Sequence, residues 1–276
     1  MAIITISRGS HTRGKEVAEL VARRLGYSCI SREILLEASE QFNVPEIRLQ
    51  HAIRDVPSFF KRFSSTQSRY VAYIQLALLR HLLQDNTVYH GLAGHFFVQG
   101  ISHVLKVRII ADIQDRIALV MERDKISAKQ AERLIINVDR QRKKWGLNLY
   151  GIDTTDSQLY DLVINTARFS IEDAVDIICH TVQKDAFRAT TESRREMENL
   201  VLRAEINAVF QEMHFNVPLE IHVSDSMVTL KTPVEYSLDK SVADEIEAKV
   251  KSLAGVREVR ILGASRTVHT NPFHNI

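Results

Sequence analysis

The sequence has little of what several classes of protein require. It contains only two cysteines, Cys29 and Cys179, which are far apart, so we expect no structural disulfide and a reducing compartment. A net charge of only +2 in 276 residues gives no general attraction to nucleic acid or to anionic membranes. No apolar run approaches the length of a membrane span, and no charged and apolar leader opens the chain. These absences predict a cytoplasmic protein that has no nucleic-acid partner and does not insert into membranes.

Histidine is abundant, but the eleven histidines form no metal-binding pattern. His90 and His95 are five residues apart, a spacing that does not place two side chains on one face of a helix. We therefore expect surface or loop histidines at these positions, and we assign no metal ligand in the chain.

A phosphate-loop pattern lies near the N-terminus. Gly9, Gly14 and Lys15 have the spacing of a Walker A loop, in which backbone amides surround phosphate groups. The apolar segment Ile3–Ile6 before the loop predicts a buried strand, and a helical pattern that ends at Gly26 follows it. A strand that leads into a helix N-terminus directs N–H groups and the positive end of the helix dipole towards an anion. The candidate phosphate-binding residues are Gly9, Ser10, His11, Thr12, Arg13, Gly14, Lys15 and Glu16.

Two points leave the role of this loop open. Glu16 stands where a Walker A loop has the Ser or Thr that coordinates Mg²⁺. The simpler alternative is a strand-to-helix turn in which Lys15 is only solvated.

Strand and helix signals alternate over residues 1–188. Strands that are apolar rather than alternating, separated by helices, predict an α/β fold with a parallel sheet covered by helices on both faces. The predicted strands after the loop are 27–30, 87–90, 104–110 and 160–165, and the predicted helices are 32–42, 67–83, 115–122, 127–145 and 170–184. Residues 45–63 are predicted to be irregular.

A polar connector at 185–195 separates a second, smaller domain over 194–266. The Ser193–Glu196 pair resembles a capping box and predicts a helix to about Met213. The pattern then changes to a period of two, which predicts a hairpin, followed by a helix at 240–253 and a strand at 256–262. The result is a small α+β domain of α-β-β-α-β order, and residues 267–276 are predicted to be a frayed tail.

The segment Arg116–Trp145 is the candidate lid, because it is rich in arginine. In P-loop kinases a lysine neutralises the β- and γ-phosphate charge, and arginines on a closing lid stabilise the charge that develops on the transferred phosphoryl group. We assign the first role to Lys15 and the second to Arg140 and Arg142, with Asp139 orienting a neighbour. The alternative is a solvated helix with pairs such as Asp139 with Lys143.

Residues 1–185 resemble the cytidylate kinase-like family of P-loop nucleoside monophosphate kinases. The segments that carry the resemblance are Ile4–Arg8, Lys15–Ala18, Leu25–Tyr27, Ser31–Leu35, Ala111–Arg116, Ala131–Arg142 and Tyr160–Thr166. The resemblance implies ATP and Mg²⁺ as cofactors, a (d)CMP-like or other small acceptor, and Arg32 as a contact of the acceptor phosphate. It also makes Glu16 the expected residue at its position, so that Mg²⁺ would be held through water or by Glu16 itself.

The loop departs from this family at two positions, and a third departure lies at Gly91-Leu92, where the family has Gly-Arg. His11 and Arg13 replace glycines, which allow positive φ and a close approach of amides to phosphate. Both side chains can themselves contact an anion, so these departures affect turnover more than binding.

The second domain resembles a BON domain in its element order and in Val228–Leu230 and Leu253–Val259, although Ser226 and Thr232 replace expected glycines. This resemblance implies an interaction or regulatory role, with a homo-oligomer or a protein partner bound through this domain. Two functions remain open, beside a weaker third alternative, a structural module that binds no nucleotide. The first is transfer of the ATP γ-phosphoryl group to a small acceptor. The second is a catalytically degenerate sensor that binds a nucleotide or anion and signals through the second domain.

Overall fold

The computed structural model describes residues 2–31, 33–54, 65–91, 94–213, 215, 219–233 and 238–263. These residues belong to two compact units, Met1–Val201 and Leu202–Ile276. Arg32, Leu92 and the predicted tail 267–276 lie outside the described residues. Among the helices that the structure describes, none is both long and apolar enough to cross a membrane.

The first unit contains a five-stranded sheet of strand order β2-β3-β1-β4-β5, in which every pair of neighbours is parallel. The strands are β1 Ile3–Arg8, β2 Ser28–Ile30, β3 Thr87–His90, β4 Val104–Ile110 and β5 Leu162–Asn165. The α/β class predicted from apolar strands between helices is confirmed. Because all strands run in one direction, their carboxyl ends meet at one edge of the sheet, where the phosphate loop begins.

Helices cover both faces of this sheet. They are α1 Gly14–Leu25, α2 Glu33–Phe42, α3 Glu46–Arg54, α4 Ser65–Leu82, α5 Gly94–Phe97, α6 Ile113–Asp124, α7 Ala128–Tyr150 and α8 Ile171–Val182. On one face, α1 and α8 pack over Ile4, Ile6 and Val107 in a continuous core. On the other face, α5 contacts β1, and α4 packs against α5.

Two details of the sequence reading are wrong. Helix α3 lies inside the segment predicted to be irregular, where it buries Leu49 and Ala52 on a stripe too short to give a clear periodic signal. Helix α9, Thr191–Glu212, is capped by Thr190 rather than Ser193, because the N–H of Ser193 donates to Thr190 Oγ1 at 3.1 Å. The capping boxes at Ser127 and Ser170 are confirmed.

The second unit is a small mixed sheet packed on helices. Its strands are β6 Glu220–Ser224, β7 Met227–Lys231 and β8 Glu258–Leu262, and the remaining helix is α10 Lys240–Lys251. Strands β6 and β7 are antiparallel, and β7 and β8 are parallel. Asp225 and Ser226 both have positive φ, as a two-residue hairpin turn requires. The predicted α-β-β-α-β order of a separate α+β domain is confirmed.

Candidate functional site

The loop between β1 and α1 is held in a compact turn. The N–H of Gly9 donates to the carbonyl of Ile109 at 3.0 Å, and the hydroxyl of Thr12 donates to the carbonyl of Gly9 at 3.3 Å. A Cβ atom at Gly14 would lie 3.0 Å from the Cβ of Arg8, so only glycine fits there without a shift. Arg13 is the N-cap of α1 and gives no side-chain capping bond. The first N–H groups of α1 therefore lack a side-chain cap, as in an anion cradle.

The two residues that replace family glycines behave differently. His11 has φ +55, so its backbone does adopt the conformation that glycine favours. Arg13 has φ −79, which any residue adopts, so no conformational demand for glycine exists there. The His11 Nδ1 lies 3.2 Å from Nη1 of Arg123 on α6. Burial, and then the charge of Arg123, lower the pKa of His11.

The side chains of Lys15 and Glu16 lie on the exposed side of α1. The Lys15 Nζ is 3.5 Å from Oε1 of Glu19, and 65% of the Lys15 side chain is exposed. The Glu16 Oε2 lies 3.7 Å from Nε of Arg13. Exposed pairs of this kind are weak, so either side chain can leave its partner for a ligand.

Ser10 is clamped by the two helices that follow β4. Asp139 of α7 accepts hydrogen bonds at Oδ1 from the Ser10 N–H (3.2 Å) and from the Ser10 hydroxyl (2.6 Å). Arg116 of α6 donates to the Ser10 carbonyl (2.8 Å), to the Ser10 hydroxyl (2.6 Å) and to Asp139 Oδ2 (2.5 Å). The expected surface pair of Asp139 with Lys143 is wrong, because Lys143 pairs with Asp153 at 2.7 Å.

A cavity of about 230 Å³ lies beside the loop, at the carboxyl ends of β1 and β4. Four arginines line it, Arg8, Arg108, Arg116 and Arg142, and Asp139 is the one carboxylate among its described lining residues. Nη1 of Arg142 donates to the carbonyl of Arg8 at 3.0 Å. Burial, and then the neighbouring charge of Arg8, lower the pKa of Arg142 to about 10. A cavity with such an excess of guanidinium groups is suited to an anion that carries several charges.

An aromatic wall fixes one of these arginines. Nη1 of Arg108 donates to the Thr154 carbonyl (2.6 Å) and to the Tyr160 hydroxyl (3.1 Å), which itself donates to the Thr154 carbonyl (2.9 Å). The ring of His95 lies against Tyr160, and His95 and His90 are each only 5% exposed. The expectation that these are surface or loop histidines is therefore wrong. Burial, and then Arg108, lower the pKa of His95 to about 3, so its ring is neutral.

The structure brings together only part of the predicted site. Arg142 and the loop meet at the cavity, whereas Arg140 is exposed on α7. The sequence reading missed Arg8 and Arg108 as candidate site residues. A signal existed for Arg108, because a charged residue inside the apolar strand Val104–Ile110 needs a local reason.

The residues around the loop lack the usual set of ligands for a protein-held Mg²⁺, and Glu16, exposed and weakly paired with Arg13, is the one loop carboxylate among the described residues. P-loop kinases hold this ion with a hydroxyl of the residue after the loop lysine and with a carboxylate at the end of a neighbouring strand. Here Glu16 follows Lys15, β3 ends on His90, and Asp139 is occupied by Ser10 and Arg116. The described residues contain no group of three or more His, Cys, Asp or Glu side chains that could hold a metal ion.

Comparison with known proteins agrees with the geometry. Residues 3–168 match the model of the cytidylate kinase-like family. The chain is 33% identical over 102 residues to a cytidylate kinase of Staphylothermus marinus, which covers 37% of this chain and 57% of that protein. It is 24% identical over 182 residues to a cytidylate kinase of Sulfolobus acidocaldarius, which covers 66% of this chain and 94% of that protein.

The chain spans about half the length of the first curated relatives it matches, 57% and 48% for two of them. Among solved structures, an uncharacterized protein from Eubacterium ventriosum is similar, with a TM-score of 0.51 and 19% identity. The match covers 66% of this chain and 97% of that one, and it shows a shared fold.

Proposed function

The chain belongs to the cytidylate kinase-like family, and from this premise we propose that it binds a nucleoside triphosphate and a phosphorylated acceptor side by side. The triphosphate would be ATP, held by loop residues 9–16, and the acceptor would be a (d)CMP-like nucleotide. The observation that carries the proposal is the cavity beside the loop, where four arginines face one carboxylate. Phosphoryl transfer brings two phosphate groups together, and their charge must be neutralised at that point.

The residues would act as follows. The uncapped N–H groups at the start of α1 and the Lys15 ammonium would hold the ATP phosphates. Arg142, oriented by its bond to the Arg8 carbonyl, would donate to the phosphoryl group in transfer. Arg140, which is exposed on α7, would be a second guanidinium for the phosphates, and Arg32 would hold the acceptor phosphate. The acceptor phosphate oxygen forms the new bond to phosphorus, while the bond from phosphorus to the bridging oxygen of ATP breaks.

Magnesium enters this proposal only through the family resemblance. The ion would supply charge neutralisation between phosphate oxygens when bound. Because the donors around the loop do not fit it, we assign no step to Mg²⁺.

A second candidate function is a catalytically degenerate sensor. Two observations favour it: the Ser10 N–H is occupied by Asp139, and a side chain rather than a hydrogen projects from the loop at His11. A ligand would then be bound without transfer, and residues 194–266, which we propose to be a BON-like module, would bind a second copy or a protein partner.

A two-step experiment separates these functions. A thermal-shift panel of nucleotides identifies ligands, because binding to the folded state raises the unfolding midpoint. A phosphoryl-transfer assay with ATP and CMP or dCMP then follows. The kinase proposal expects diphosphate product that Lys15→Ala removes, whereas the sensor expects stabilisation without product. Absence of stabilisation by every nucleotide would contradict the kinase proposal and a nucleotide sensor.

A further inference from the structure

We propose that this chain binds the triphosphate without a divalent cation, because the four cavity arginines neutralise the phosphates in place of a metal. The inference concerns the same site as the proposed function and rests on it for the identity of the ligand. Three features of the site support it: the engaged carboxylate of the cavity, the immobilised arginines, and the neutral histidine at the end of β3.

The first feature is that Asp139, the one carboxylate among the described residues that line the cavity, is already bound by the protein. A metal at Asp139 would compete with three donors that already bind its carboxylate, the Ser10 N–H, the Ser10 hydroxyl and the guanidinium of Arg116. Charge-assisted bonds of this kind are the strong class of hydrogen bond, and Arg116 is only 12% exposed. Removing its partner would leave a buried guanidinium uncompensated. Asp139 is therefore a ligand of the protein itself.

The second feature is that three of the arginines are already fixed by hydrogen bonds within the protein. Arg142 is bound to the carbonyl of Arg8, and Arg108 is bound to the Thr154 carbonyl and the Tyr160 hydroxyl. Arg116 is bound to Ser10 of the loop and to the carboxylate of Asp139. A guanidinium has five N–H donors, so each retains donors for a ligand. Groups held in place before binding lose little freedom when a phosphate arrives, which favours tight binding.

The third feature is the residue at the carboxyl end of β3. His90 is buried there, and its Nδ1 has no hydrogen-bond partner. Burial, and then the charge of Arg8, lower the pKa of His90 to about 4; Lys15 acts in the same direction, and the carboxylates of Glu19 and Glu33 act in the opposite one. The imidazole is therefore neutral at pH 7, and it supplies no negative charge for a divalent cation where P-loop kinases have a carboxylate.

The test is isothermal titration of the full chain with ATP and with inorganic triphosphate, in excess Mg²⁺ and in EDTA. We expect the dissociation constants in the two buffers to agree within about threefold. In EDTA, Arg142→Ala should weaken binding by about tenfold or more, since it removes a charge-assisted contact. Arg133→Ala is the matched control, because Arg133 is an exposed arginine of the same helix.

A second pair of variants tests the end of β3. His90→Asp supplies the missing carboxylate and should make binding about tenfold or more tighter in Mg²⁺ than in EDTA, whereas His90→Asn should not. Circular dichroism shows whether each variant folds. If His90→Asp does not fold, the inference is tested by the wild-type titrations in the two buffers and by the comparison of Arg142→Ala with Arg133→Ala.

Binding of ATP only in Mg²⁺ would overturn this inference and leave the proposed function standing. Binding in EDTA that Arg142→Ala does not weaken would also overturn it. Binding of neither ligand in either buffer would overturn the proposed function as well.

Discussion

The carboxylate of Asp139 accepts hydrogen bonds from both the backbone N–H and the hydroxyl of Ser10, although the two residues are 129 positions apart in the chain. This contact ties helix α7 to the phosphate loop. It also uses a loop amide that would otherwise be free for a phosphate. The loop, helix α7 and the cavity arginines Arg116 and Arg142 are therefore joined by hydrogen bonds.

Loss of the Asp139 carboxylate should destabilise the first unit. Asp139→Ala leaves Arg116 largely buried without a carboxylate, so we expect the unfolding free energy to fall by about 2 kcal/mol. Asp139→Asn keeps an acceptor for the Ser10 N–H and should lower the unfolding free energy by less. Thermal unfolding at pH 7 measures both, with Asp124→Ala as the control, since Asp124 pairs with an exposed arginine. Equal midpoints for Asp139→Ala and Asp124→Ala would show that the clamp does not stabilise the fold.

The positive φ of His11 predicts an unusual order of stability for two substitutions. His11→Gly removes the strain of a side chain at φ +55 and should be more stable than His11→Ala by about 1 kcal/mol. Both variants lose the contact with Arg123, so the difference between them isolates the backbone term. Chemical denaturation of the two variants measures it, and an alanine variant as stable as the glycine variant would contradict the strain.

Buried neutral histidines predict a loss of stability in acid. The pKa of His95 is about 3 and that of His90 about 4, both lowered first by burial, against an ordinary value of 6.5. Below pH 6.5 these histidines bind more protons in the unfolded chain than in the folded one. The unfolding free energy is therefore highest above pH 6.5 and falls as the pH decreases towards the folded-state pKa values. Each histidine should lower the unfolding free energy by roughly 2 kcal/mol when the pH decreases from 7 to 5.

The variant that checks this pH dependence is His95→Gln, which cannot acquire the charge. Its unfolding midpoint should fall less between pH 7 and pH 5 than that of the wild type. Parallel pH profiles for the two proteins would mean that His95 is not held neutral.

Tyr160 predicts a selective loss of ligand binding. Tyr160→Phe removes the hydroxyl that accepts from Arg108, so Arg108 gains freedom and binding of ATP or CMP should weaken several-fold. The unfolding midpoint should fall by the equivalent of only about 1 kcal/mol. Calorimetric titration and thermal unfolding together measure both effects. An unchanged affinity would exclude Arg108 from the ligand site.

Much of the fold follows from local patterns in the sequence. The buried strand Ile3–Arg8, the helix that Gly26 ends, and the capping boxes at Ser127 and Ser170 are all predicted by short-range signals. The hairpin at Asp225-Ser226 follows from the period of two on either side of it. These elements depend on the alternation of apolar and polar residues, which the sequence displays directly.

The rest of the site depends on contacts between distant residues. The partner of Asp139 is Ser10 rather than its helix neighbour Lys143, and no spacing rule indicates a pair that forms only when α7 packs on the loop. The rings of Phe96 and Tyr160 lie against His95, and His90 is buried in strand β3 of the covered sheet, so the histidine spacing gave no indication of either burial.

The most direct test of the account is the affinity for a bisubstrate ligand in which adenosine and cytidine are joined through five phosphates. If two phosphate-bearing ligands lie side by side at the arginine cavity, the joined ligand should bind at least about tenfold more tightly than ATP. Arg142→Ala should remove most of that gain, and Arg133→Ala should not. A bisubstrate ligand that binds no more tightly than ATP would contradict the claim that two phosphate groups meet at this cavity.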